Sequence, residues 1–85
     1  MPKSVHTPMY ERMLDLLVSK RRSANLTQAT LARTLGKPQS FVSKFEQGER
    51  RIDVVEFLTI ARAVGADPYA ILRRIEREAN PATRT

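Results

Sequence analysis

The chain has 85 residues, a length that supports one hydrophobic core and leaves no room for a second. Fifteen Lys and Arg stand against nine Asp and Glu, a formal charge of +6 with a pI near 10.5, which favours a polyanionic partner. With no cysteine and one histidine, the composition excludes disulfide frameworks, thiolate nucleophiles and Cys- or His-rich zinc sites, and no metal or cofactor is expected.

Apolar residues recur at helical spacing, and breakers fall between the runs, so five helices and no strand are expected. Thr7-Pro8 supplies a side-chain acceptor followed by a proline at the first helical position, and helix one starts there. Its apolar stripe is Met9 or Tyr10, Met13, Leu14, Leu17 and Val18, and it closes near Ser23 with Asn25 placed for the left-handed conformation. Thr27 caps helix two, Gln28 to Leu35, with Leu31, Ala32 and Leu35 inward and Gly36 as its stop. Lys37-Pro38 opens helix three through a proline, and this helix runs to about Gln47 before Gly48. Asp53 and Glu56 form a capping box for helix four, whose inward side is expected to be Val54, Phe57, Ala61 and Val64, with Gly65 ending it. Asp67-Pro68 repeats the cap-and-proline device for helix five, with Tyr69, Ile71, Leu72 and Ile75 as its apolar set. The expected division is an N-terminal arm over 1–7, a helical domain over 8–79 and a flexible tail over 80–85.

Helix three separates into two arcs when stepped at about 100° per residue. Pro38, Phe41, Val42 and Phe45 fall on an arc suited to the core, and Gln39, Ser40, Ser43, Lys44 and Gln47 fall on the opposite, wholly polar arc. Glutamine can bond adenine N6 and N7 bidentately, serine several base edges or a phosphate, and lysine guanine O6 and N7 or a phosphate. The turn between helices two and three is only about three residues, the length of a helix-turn-helix rather than an antiparallel hairpin.

Taken together, Leu26-Thr27-Gln28, Leu31-Ala32, Leu35-Gly36, Ser40, Val42-Ser43-Lys44, Glu46, Gly48, Ile60-Ala61 and Val64-Gly65 resemble the phage-repressor-like (Cro/C1, or Xre) helix-turn-helix family over roughly Met9 to Leu72. The resemblance implies an all-α, compact five-helix lambda-repressor-like DNA-binding domain with the helix-turn-helix in helices two and three. It implies that Gln39, Ser40, Ser43 and Lys44 reach base edges and that Gln28 lies near the DNA backbone. Gln28 has independent support, since a helix N-terminus offers free N–H groups to a phosphate. Lys37, Gln47, Arg50 and Arg51 are further phosphate candidates, the two arginines because they form a basic loop just before helix four. Glu46 is the sole acid of helix three and needs a cation beside DNA; the resemblance points to Arg21, with Arg22 and Arg33 as alternatives. Phe41 either packs on helix two or offers an edge to a thymine methyl. His6 has no assigned role beyond proximity to phosphate. Asn25 stands where the family commonly has glycine, and Pro38 where it has a Ser or Thr cap.

One helix reads about half a site, so a homodimer on a palindromic operator is expected, with Leu58, Tyr69, Ile71 and Ile75 as interface candidates, although Ile71 also suits the monomer core. The expected function is a sequence-specific transcriptional regulator, a repressor or autoregulator. The alternative is an antitoxin or other protein-interaction module whose main task is to bind a separate partner protein. That alternative would suit acidic or apolar residues on the outer arc of helix three, which is instead polar and basic. An enzyme is not expected, because there is no acid pair in a plausible pocket, no Ser/His/acid set and no phosphate-cradling glycine loop. RNA binding would require stacking aromatics, and the few Phe residues read as core. The start, Met1-Pro2-Lys3-Ser4, leads into no long apolar run, so no secretory signal, no membrane partner and a cytoplasmic location are expected.

Overall fold

The computed structural model describes residues 7–79. The expected arm, except for Thr7, together with His6 and the expected tail from 80, lies outside the described residues. Five helices follow in order: α1 (Pro8–Ser23), α2 (Gln28–Leu35), α3 (Gln39–Glu46), α4 (Val54–Ala63) and α5 (Pro68–Ala79), and no strand occurs among the described residues.

The helix starts follow from local chemistry. The Thr7 hydroxyl accepts from the Tyr10 N–H at 3.1 Å, and Thr27 accepts from Thr30 at 3.0 Å. Asp53 accepts from the Glu56 N–H at 2.7 Å while Glu56 accepts from the Asp53 N–H at 2.9 Å, a reciprocal capping box. The ends of α1 to α4 share one pattern, in which a residue just past the helix reaches back five positions to a last-turn carbonyl. Leu26 donates to Arg21, Lys37 to Ala32, Glu49 to Lys44 and Ala66 to Ala61, at 3.1, 2.9, 2.9 and 2.9 Å. That closure requires a left-handed residue. Gly36 supplies it after α2 with φ 69°, and Asn25 supplies it after α1 with φ 59°. Pro38 differs from the expected pattern, because it occupies the N-cap itself, extended at φ −69° and ψ 155°, and α3 starts one residue later with no side-chain cap.

The core is one cluster drawn from every helix. Leu17, Leu31, Val42, Phe45, Ile60 and Ala61 are almost completely buried, with α2 packed on α3 and α4 and with α1 lying along α5 and α3. Several expected inward residues lie elsewhere. Val54 is 73% exposed and Ile60 takes the buried place, because α4 is turned so that Phe57, Ile60 and Ala61 face inward. In α1, Leu16 joins the core, while Met9 is exposed and Val18 only half-buried. Pro38 is exposed rather than part of the core arc, and Leu35 and Phe41 are only partly covered. In α5, Ile71 and Ile75 are core and Tyr69 and Leu72 are exposed.

Truncating Phe45 to Ala should lower the unfolding free energy by about 3–5 kcal/mol, since a fully enclosed ring leaves a cavity. Val54→Ala should change it by less than about 0.5 kcal/mol. Urea denaturation of the two variants checks this arrangement of α4 and α3, and similar losses for both would contradict it.

Candidate nucleic-acid interface

The turn over 36–38 sets α3 against α2 so that its inner side, Val42 and Phe45, is completely buried. Gln39, Ser40, Lys44 and Gln47 remain exposed on the outer side, with Ser43 half-buried between them. The Gln47 amide donates to the Ser43 hydroxyl at 3.4 Å, so these two residues lie together at the C-terminal end of the outer arc.

Glu46 points inward. Arg21 grips it through two nitrogens, Nε to Oε2 at 2.6 Å and Nη2 to Oε1 at 3.0 Å, and gives Nη1 to the Leu26 carbonyl at 2.7 Å. Both side chains are over 90% buried, at 9% and 7% exposure, so the pair is a desolvated fork that ties the end of α1 to the end of α3. Neither Arg22 nor Arg33 takes part; both are exposed. The carboxylate's Oε1 also accepts from Gln28 Nε2 at 2.9 Å. An ionised carboxylate can only accept, so the Gln28 amide turns its NH2 inward and its oxygen outward. That oxygen is 3.5 Å from Gln39 Nε2, a long contact. A hydrogen-bonded line thus runs from the buried ion pair through Gln28 to Gln39. Gln39 keeps its own oxygen and a second N–H free for another partner, the acceptor and donor combination an adenine edge matches. The Gln28 side chain is therefore occupied by Glu46, and what the start of α2 can offer a phosphate is its backbone N–H groups.

The connection from α3 to α4 is fastened at both arginines. Arg50 Nη1 donates to Glu56 Oε1 at 3.0 Å and to the Arg51 carbonyl at 2.8 Å, and its guanidinium lies 4.8 Å from the centre of the Phe41 ring. Lys37 Nζ lies 5.5 Å from the same ring, so Phe41 carries two cations and also tilts against Phe45, centroids 5.6 Å apart. Arg51 stacks 4.3 Å above Tyr10, whose hydroxyl accepts from the Ile52 N–H at 3.0 Å. The Glu56 carboxyl is held below its ordinary range, first by the Arg50 hydrogen bond and then by the Asp53 N–H, and the Arg50 guanidinium is correspondingly raised. From Leu16 to Phe45 the chain has no acidic residue and carries Lys20, Arg21, Arg22, Arg33, Lys37 and Lys44. With Glu46 neutralised inside, the outer arc of α3 presents no carboxylate.

Sequence reasoning missed the roles of Tyr10 and Phe41 as platforms for arginines and the tie between Gln28 and Gln39. No local signal could have supplied the first of these, since Tyr10 and Ile52 are 42 positions apart. Of the interface candidates, Leu58 is half-buried against the core and Tyr69 is exposed, with the Arg62 guanidinium 5.8 Å over its ring. Ile71 and Ile75, at 5% and 7% exposure, belong to the monomer core and are not available to a second chain, because α5 turns them toward α1. Leu72, at 42%, is the exposed aliphatic residue of α5. Among the described residues, no helix is long and apolar enough to cross a membrane, and no cluster of three or more His, Cys, Asp or Glu could hold a metal.

The profile of the helix-turn-helix family matches residues 17–71, which contain the α2–turn–α3 unit and the whole of α4. Among solved structures, an XRE-family like protein from Pseudomonas syringae pv. tomato str. DC3000 superposes with a TM-score of 0.83 at 50% sequence identity, covering 89% of this chain and 93% of that one. No curated protein sequence matches the chain significantly.

Glu46→Gln strands the Arg21 charge and should cost about 3–5 kcal/mol of stability, with Glu78→Gln at an exposed pair leaving the unfolding midpoint near that of the wild type. Chemical denaturation compares them directly. The Glu56 carboxyl ionises more readily in the folded chain than in the unfolded one, so its contribution is fully present above the ordinary glutamate range, about 4.3. It is lost as pH falls through the lowered folded value. Wild-type stability should therefore drop on acidification in that window, and Arg50→Ala, which removes the main cause, should drop less. Parallel curves for the two proteins would show that Arg50 does not hold Glu56 ionised.

Proposed function

The chain belongs to the Cro/C1 (XRE-type) helix-turn-helix family of DNA-binding regulators, and from that premise we propose that it is a homodimeric repressor of transcription that recognises a palindromic operator through the major groove. Residues 8–79 form the DNA-binding domain, with the arm over 1–7 and the tail over 80–85 flanking it. The observation that carries this reading is the outer arc of α3. Gln39, Ser40, Ser43 and Lys44 offer donors and acceptors with no carboxylate among them, and Gln39 is oriented by Gln28. These residues read bases, with Gln39 suited to adenine and Lys44 to guanine or phosphate. The first-turn N–H groups of α2, together with Lys37, Gln47, Arg50 and Arg51, hold the flanking phosphates.

Two copies place their α3 helices in successive major grooves, about 34 Å apart along the duplex. Leu58, Tyr69 and Leu72 supply the self-complementary face on α4 and α5, replacing Ile71 and Ile75 of the sequence expectation. A dimer of this size covers its operator and competes with whatever else would occupy that DNA. The protein acts by binding, without a catalytic step or cofactor, in the compartment that holds the DNA.

Selection from random duplexes should return a palindromic motif, and Gln39→Ala should relax preference at one position of each half-site by about 1–3 kcal/mol. Arg50→Ala should weaken all duplexes alike and reduce the salt slope by about one. An unchanged motif with Gln39→Ala would remove Gln39 from base recognition. Tyr69→Glu should shift the protein to monomer in sedimentation equilibrium and lengthen no half-site; a dimer that survives it would move the interface elsewhere.

A further inference from the structure

The first turn of α4 carries two valines that the core does not use. Val54 and Val55 are 73% and 70% exposed. Val55 forms one wall of an open groove of about 110 Å³, whose other apolar walls are Leu35 at the end of α2, Phe41 on α3 and Ile60 on α4, with Lys37 and Glu56 as its charged lining. We infer that this groove is a docking site for an acidic segment of a partner protein, which inserts one apolar side chain against Phe41 and Val55 and pairs a neighbouring carboxylate with Lys37.

The charges decide the chemistry of the occupant. Glu56 is already occupied by Arg50 at 3.0 Å and by the N-cap of α4, so it does not set the sign of the groove. Lys37 has no carboxylate within ion-pair distance among the described residues; it lies over the Phe41 ring and feels Glu56 only at longer, Coulombic range. The surrounding α2–α3 stretch adds Arg33, and its one acid, Glu46, is buried against Arg21. A DNA phosphate would meet Lys37 but not the apolar walls. A small apolar acid would fill the groove but leave the valine pair in water, whereas a peptide segment covers both, and exposed contiguous apolar surface rimmed by polar groups commonly marks such contacts. A second copy seated through its Tyr69 and Leu72 is a poor match, because these sit beside Arg62, Arg73 and Arg74, which would face Lys37 with like charge, and two copies meeting groove to groove would bring their Lys37 side chains together. The groove is built from the helix-turn-helix and α4, so its occupant touches the DNA-reading unit from behind. This inference does not rest on the base-reading assignment, since the groove and the outer arc of α3 use different side chains; Lys37 alone is shared with the proposed phosphate contacts.

The test is panning of a phage library of random dodecapeptides on the full chain, followed by titration of the synthetic consensus peptide into isotope-labelled protein. The expected consensus places an aromatic or aliphatic residue within two positions of Asp or Glu, and the peptide shifts the methyl signals of Leu35, Val55 and Ile60. Val55→Ser, and Thr59→Gln on the adjoining turn of α4, should weaken the peptide at least tenfold and leave affinity for duplex DNA within twofold. Lys37→Ala should weaken it similarly, as should replacing the peptide's acids by their amides. No enriched peptide, a consensus without acids, shifts centred on Tyr69 and Leu72, or a Val55→Ser variant that binds like wild type would each overturn the inference. So would groove signals that move with protein concentration alone, which would assign the surface to a second copy.

Discussion

A carboxylate on the helix meant to approach DNA is an electrostatic liability, and most of what positions this surface follows from how that liability is handled. Glu46 is turned inward and forked by Arg21, whose third nitrogen also closes on the Leu26 carbonyl. Desolvating two charges is expensive, and a hydrophobic pair of similar volume would be no less stable. What the ion pair adds is geometry. A planar guanidinium fits a carboxylate in one orientation, so the end of α1, the start of α2 and the end of α3 are fixed relative to one another. The exposed pairs of Glu78 with Arg12 and Arg74 have no comparable role, because solvent screens them and their side chains are free to rearrange.

The same carboxylate orders the amides beside it. A buried acceptor chooses the NH2 end of Gln28, that choice exposes the Gln28 oxygen, and the oxygen meets Gln39. Polarity fixed in the interior is thereby passed to a residue on the outer arc, with rotamer freedom of two long side chains given up before any ligand arrives. The basic loop behind α3 is prepared differently. Tyr10 and Phe41 hold Arg51 and Arg50 by their ring faces, and Arg50 is further engaged by Glu56. An arginine already paired with a carboxylate must exchange or share that partner to reach a phosphate, which would lower its net contribution to the proposed contact.

Helix boundaries were legible in the sequence because the devices that set them are local. Thr7-Pro8, Thr27, the Asp53 and Glu56 box, Gly36 and Asn25 each act within a few residues, and each determines its boundary in the fold. The inward side of α4 was not legible. Val54, Val55, Phe57, Leu58, Ile60 and Ala61 encircle that helix, so periodicity alone offers more than one apolar arc, and the choice of Phe57, Ile60 and Ala61 is made by the shape of α2 and α5 against it. The place of Pro38 is ambiguous for a related reason: proline suits both the first helical position and the residue before it, and the tight turn after Gly36 takes the second. For the candidate site, residue types on α3 could be placed on an arc, but the ties among Gln28, Gln39 and Glu46 depend on helix packing that no spacing encodes.

The surplus apolar surface of α4 follows from its position. A helix packed on α2 and α5 needs one apolar stripe, yet α4 carries valines at its first two positions, where β-branched residues do little for helix propensity. Leaving them in water forgoes their burial, which the proposed partner would recover. Because the groove that Val55 borders shares Leu35, Lys37 and Phe41 with the helix-turn-helix, a protein bound there and DNA on the proposed outer arc would contact the same short helix from two sides. Their binding free energies are then linked, and linkage is reciprocal: a partner that loosens DNA must itself be loosened by DNA to the same extent. Lys37 sets the sign, since a carboxylate that claims it withdraws a cation from the neighbouring phosphates. On the proposed reading, such a partner would antagonise DNA binding.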